Sequence, residues 1–139
     1  MIATAAAASG CGGGSTTTAK ATDVLSLGPV LRCLRDIRHA RVTTSQADLD
    51  QIARRAGRGA ARVRLGVGPK VPKGLNVATV VLERSAHDAR STEAHYRSVY
   101  RALGGNPAGV LVRSANAVVA FGARPSAQDR SVVMRCVQP

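Results

Sequence analysis

The stretch from Ala86 to Asn106, AHDARSTEAHYRSVYRALGGN, constrains this chain more than any other. Thr92 is placed to cap a helix, Glu93 stands in its first turn, and Gly104-Gly105 ends it. Tyr96, Val99, Tyr100 and Leu103 recur at i, i+3, i+4 and i+7, so they form one apolar stripe. Arg97 and Arg101 share another face, with Arg90 just ahead. β-branched runs flank the segment at residues 76–82, 110–112 and 117–121. The spacing predicts a helix laid on a sheet, apolar side down and basic side out.

Upstream, Gly28-Pro29 opens a helix with the proline at its first position. Val30, Cys33, Leu34, Ile37 and Ala40 are its apolar face, and Thr43-Thr44-Ser45 breaks it. Ser45 with Asp48 is a capping-box-like start for a second helix, buried through Leu49, Ile52, Ala53 and Ala56 and stopped by Gly57. Arg62 to Leu65 alternates as a short strand. Val110–Val112 and Ala117–Phe121 form a hairpin turning near Ser114-Ala115-Asn116, and Ser131–Val137 reads as a last edge strand. The expected fold class is α+β: an N-terminal helical hairpin followed by a small, mostly antiparallel sheet with one helix packed on it. The organisation is a low-complexity tail over 1–22, the hairpin over 23–59 and the α+β domain over 60–139.

The chain carries 20 Lys+Arg against 8 Asp+Glu, a formal charge of +12. A compact domain with that excess repels itself unless a polyanion neutralises it. Most of the excess is arginine, whose planar fork suits phosphate. The candidate RNA-binding residues are Arg54, Arg55, Arg58, Arg62 and Arg64 near the hairpin-to-strand junction, Lys70 and Lys73 on a loop, and Arg90, Arg97 and Arg101 about the central helix. Phosphate contacts need no more than such a surface. With only Tyr96, Tyr100 and Phe121 as aromatics, a base-stacking platform is not expected. His39, His87 and His95 are scattered without metal spacing, Glu83 and Asp88 lack a third partner, and Ser85 lies too close in sequence to His87. Gly66 to Gly74 lacks the ending of a nucleotide loop. The expectation is a protein that is not an enzyme and has no cofactor, metal or small-molecule substrate.

Two segments resemble the YebC family. Asp88-Ala-Arg90-Ser-Thr92, Ala94, Arg97 and Gly104-Gly105-Asn106 look like the start of that family's second domain. Leu31-Arg32, Ala40-Arg41-Val42, Asp48, Ile52-Ala53 and Arg55 through Gly57 follow its first-domain helices, and Gly66-Val67-Gly68-Pro69 is similar to its Gly-Tyr-Gly-Pro. The family's basic N-terminal segment and third domain have no counterpart here. The resemblance implies a role in translation. With the basic charge, it suggests an RNA-bound, resident component of the mitochondrial ribosome in the matrix, beside rRNA and neighbouring ribosomal proteins. The alternatives are a transient translational activator or nucleic-acid-binding regulator, or a protein-interaction subunit of an organellar complex.

The tail is Ala, Gly, Ser and Thr with one Lys. It is too weakly apolar for a secretory signal; its acid-poor, hydroxyl-rich content fits an organellar transit segment, and otherwise a flexible tail. Cys11, Cys33 and Cys136 match neither a zinc site nor a disulfide framework. Cys33 on an apolar helical face is expected in the core, and the chain reads as one for a reducing compartment. No apolar run approaches the ~18 residues of a spanning helix, so no membrane partner is expected.

Overall fold

The computed structural model describes residues 24–66 and 74–139. The tail of residues 1–22 and the loop with Lys70 and Lys73 lie outside the described residues. The order is α1 (Leu27–Arg35), β1 (Arg41–Thr43), a 3-10 turn (Gln46–Asp48), α2 (Gln51–Arg54), β2 (Gly59–Arg64), β3 (Val77–Leu82), α3 (Ala86–Ala102), β4 (Leu111–Ser114), β5 (Ala117–Phe121) and α4 (Ala127–Cys136). The strands make one antiparallel sheet ordered β1-β2-β3-β5-β4, an α+β fold with helices on both faces.

Strand alternation decides what each face buries. Val80 and Leu82 of β3 with Val119 and Phe121 of β5 point to one side, where they meet Val30 and Leu34 of α1 and Val133 and Val137 at the end of α4. Val81, Val118 and Ala120 point to the other side, under Ala53 of α2 and Ala89 and Tyr96 of α3. The β4–β5 hairpin turns at Ala115-Asn116, with Ala115 at φ 50°. Asn116 is 1% exposed. Its Nδ2 donates to the carbonyls of Glu83 (2.6 Å) and Leu25 (3.1 Å), and its Oδ1 accepts from the Leu25 N–H at 2.7 Å. One amide thus fastens the chain ahead of α1 to the centre of the sheet.

Several expectations change. The helical hairpin is not formed: α1 ends at Arg35, and His39 at φ 64° turns the chain into β1. The β-branched pair Val42-Thr43 then adds a strand to β2. The second helix shrinks to a 3-10 turn and one α-turn, because Leu49 is extended and Asp50, not Ser45, supplies the cap, accepting from Ala53 N at 2.8 Å. Arg41–Thr43 of this segment therefore join the sheet rather than stand apart in a helical hairpin.

The central helix begins earlier than expected. Ser85 caps it through the Asp88 N–H, while Thr92 lies inside it and donates to Glu83 Oε1 at 2.7 Å. The expected stripe is only half buried: Tyr96 and Tyr100 reach the sheet side, whereas Val99 is 40% and Leu103 81% exposed. The left-handed Gly104 ends the helix as expected, at φ +78°.

Residues 131–137 are not an edge strand. They lie in α4 and just past its end, with Ser126 accepting from the Asp129 N–H at 3.0 Å and Val133, Cys136 and Val137 turned inward. A side-chain cap with inward residues at i, i+3 and i+4 outweighs the local β-preference of Val132-Val133. Lastly, Cys33 and Cys136 are joined in a disulfide, with Cα atoms 5.4 Å apart and a sequence separation of 103. Secreted and envelope proteins keep such bonds while cytosolic proteins rarely do, so the reducing-compartment reading is not supported.

Candidate nucleic-acid interface

The β1–β2 pairing sets Arg41 opposite Arg64 and Thr43 opposite Arg62. Opposed residues point to the same face, and so do residues two apart on one strand. Arg41, Arg62 and Arg64 therefore stand together, on the face opposite to Val42 and Val63. On that face α3 lies across β4 and β5, and short α2 packs on β2 and β3. The arginine end of the hairpin is left open. Arg41 and Arg64 are exposed and Arg62 is half-buried.

Among the described residues no carboxylate lies within ion-pair distance of these three guanidinium groups; the ion pairs found there are Arg97 and Arg113, both to Glu93. Asp48 shares a depression of about 130 Å³ with Arg41, Arg62 and Arg64, but its carboxylate accepts from Thr43 Oγ1 at 3.0 Å. Arg62 donates to the Asp48 carbonyl at 3.2 Å and Arg54 to the Gln46 carbonyl at 2.7 Å. Both bonds grip the 3-10 turn, and each uses one N–H group of its guanidinium.

The structure divides the expected site. Arg54, Arg62 and Arg64 gather at the β1–β2 end. Arg55 lines an adjoining groove, and Arg58 is exposed just before β2. Arg97 and Arg101 border a separate depression with Gly105–Ala108 and Leu111, and Arg97 is tied to Glu93. Arg90 is exposed near the start of α3. Lys70 and Lys73 lie outside the described residues. Arg41 was missed, since on a helix extended to Ala40 it reads as one more solvent-facing arginine; only the strand register reveals it.

Between α3 and the β1–β2 side runs a groove of about 490 Å³, with Ile52, Val99 and Leu103 on its walls, Val77 and Ala120 beneath, and Arg55, Arg62 and His95 at its rim. Asp50 braces its end, accepting from the Tyr96 hydroxyl at 2.9 and 3.0 Å. Burial first, then Asp50, pushes the Tyr96 hydroxyl far above its ordinary value, and the same two causes raise Tyr100. Tyr96 is thus a neutral donor at physiological pH. Glu83, 8% exposed, accepts from the Gly57 N–H and from Thr92, joining the end of α2 to α3. Among the described residues no cluster of three metal-ligating side chains occurs.

No family model, curated protein or solved structure matches this chain.

Proposed function

We propose that the chain is a non-enzymatic binding module that holds a phosphate-bearing polyanion against the arginine face of β1 and β2. The observation that carries this reading is the direct opposition of Arg41 and Arg64, with Arg62 alongside and no carboxylate paired to them among the described residues. Like charges placed opposite each other cost stability. A bound polyanion removes that cost, and guanidinium forks take phosphate oxygens two at a time. RNA is the polyanion suggested by the charge and by the YebC-like segments, and a place in mitochondrial translation extends that reading. The Cys33–Cys136 disulfide favours a second one, an anionic polymer or membrane surface in an oxidising compartment.

The test is a salt titration of binding by the oxidised protein, to single-stranded RNA and to anionic vesicles in parallel. Six held phosphates give a log–log slope near −4 on RNA, at about 0.7 per phosphate. Exchanging Arg41, Arg62 and Arg64 for Gln should flatten the slope by about 2, while the same exchange at Arg90, Arg97 and Arg101 leaves it nearly unchanged. An unchanged slope in the first variant sinks the assignment of the face. Vesicle binding without RNA binding selects the second reading.

A further inference from the structure

The groove beside α3 and the arginine end of β1 and β2 are parts of one surface. Strand register places Arg64 opposite Val77, Arg62 opposite Thr79, and Thr79 opposite Ala120. Opposed residues share a face, so these side chains stand on the side from which Arg41 also projects. Across β2, β3 and β5 the surface therefore passes from guanidinium groups to a floor of Val77, Thr79 and Ala120. Two strand spacings, about 10 Å, separate Arg62 from Ala120 along that row. Arg62 and Asp48 line both the depression of about 130 Å³ and the groove of about 490 Å³, so the two are continuous.

The far wall is apolar where an exposed helix edge is ordinarily polar. There α3, packed on β4 and β5, presents Val99 and Leu103 to the groove. Four large apolar side chains are exposed among the described residues, and these are two of them. Apolar surface gathered in one concavity marks a place where a ligand is taken up, and the groove has the volume of a small-molecule site. Its exposed wall is aliphatic and offers a nucleobase nothing to stack on. The cations stand at the other end. Arg55 and Arg62 are at the rim, and neither lies within ion-pair distance of a carboxylate among the described residues. Asp48 and Asp50 also line the groove, but their carboxylates accept hydrogen bonds from the hydroxyls of Thr43 and Tyr96.

We propose that this groove binds a monoacyl lipid phosphate, its phosphate at Arg62 and Arg64 and its alkyl chain laid over Val77 and Ala120 against Val99 and Leu103. The head-group half rests on the arginine face proposed above, and the chain half does not. Guanidinium forks take phosphate oxygens two at a time. The chain covers apolar surface that is otherwise in water. A ligand with both parts fits the groove and the depression together, whereas a bare anion or a bare chain uses one of them.

The test is a methyl NMR titration of the oxidised full chain with three probes below their micellar concentrations: lysophosphatidic acid, glycerol 3-phosphate and monoacylglycerol. Lysophosphatidic acid should bind one to one and shift the methyls of Ile52, Val99 and Leu103, with either fragment binding roughly tenfold more weakly or worse. Lengthening the chain should tighten binding by up to roughly tenfold for every two methylenes until the groove is full. Val99→Asp, at an exposed position, should weaken lysophosphatidic acid by roughly tenfold or more while leaving the salt slope of RNA binding unchanged. Arg62→Gln should weaken both ligands. Equal affinity for lysophosphatidic acid and either fragment overturns the inference, as does a Val99→Asp protein that binds the lipid like its parent. A lipid-free dimer that Val99→Asp dissociates also overturns it, because the groove then belongs to a second copy of the chain. RNA binding that fails while lipid binding stands removes the polyanion reading alone, and the reverse removes the lipid site alone.

Discussion

The two faces of the sheet are covered in opposite ways. On one side α1 and α4 close over Val80, Leu82, Val119 and Phe121, and a disulfide ties the two helices together. On the other side α3 covers β4 and β5 while the β1–β2 end stays open, and a smaller apolar layer through Ala53, Ala89 and Tyr96 is reinforced by polar contacts: Asp50 to Tyr96, and Glu83 to Thr92 and Gly57. The first face is built for stability. The second leaves part of its area uncovered, keeping arginines and a groove at the surface, and specific hydrogen bonds reinforce the smaller apolar layer it has. Breaking each face in turn should show this difference.

The largest effect should come from the closed face. Reducing Cys33–Cys136, or replacing both cysteines with Ser, opens a loop of 103 residues. Chain-entropy reasoning puts the loss near 4–5 kcal/mol. Urea denaturation with and without reductant measures it, and coincident curves would show that the bond does not carry the closed face. Next comes Asn116→Ala, which strands the Leu25 N–H and the carbonyls of Leu25 and Glu83. Buried unsatisfied groups of this kind cost about 2–3 kcal/mol here. The measured midpoint should fall with the slope against urea unchanged.

The open face should respond less, and to pH. The Tyr96 hydroxyl has an ordinary value of 10.0 when unfolded and a higher one in the fold. The folded state therefore holds the proton more tightly, and this contribution is complete below pH 10. It is lost as pH rises above 10 toward the folded value. Tyr96→Phe should remove about 1–2 kcal/mol at neutral pH and make the remaining alkaline loss shallower. A variant with the same alkaline curve as the parent would show that Tyr96 does not set it.

Legibility in the sequence follows the same division. The central helix, though not its start at Ala86, and its flanking strands were readable because period 3.6 and period 2 are each written locally there. Residues 131–137 misled because Val132-Val133 favours a strand locally, although the Ser126-x-x-Asp129 cap signal stood a few residues upstream. The site was half readable. Arg54, Arg62 and Arg64 cluster by sequence proximity, but Arg41 joins them only through the pairing of β1 with β2, which no local pattern encodes. The same holds for Cys33 and Cys136, whose partnership depends on α1 and α4 packing side by side.

The smallest effect bears most directly on the open face. Arg64→Thr removes one of two opposed positive charges and places a β-branched residue in the strand. Both changes favour the fold, by a few tenths of a kcal/mol to about 1 kcal/mol. The same substitution removes one phosphate contact and should flatten the salt slope of RNA binding by about 0.7. A protein that gains stability while losing polyanion affinity would show that the Arg41–Arg64 opposition is kept for binding at the expense of the fold. If Arg64→Thr instead destabilises the domain, the arginine contributes to the sheet itself, and the contrast between a face built for stability and a face built for contact fails at that position. Thermal melts and salt titrations on the same preparation separate the two outcomes.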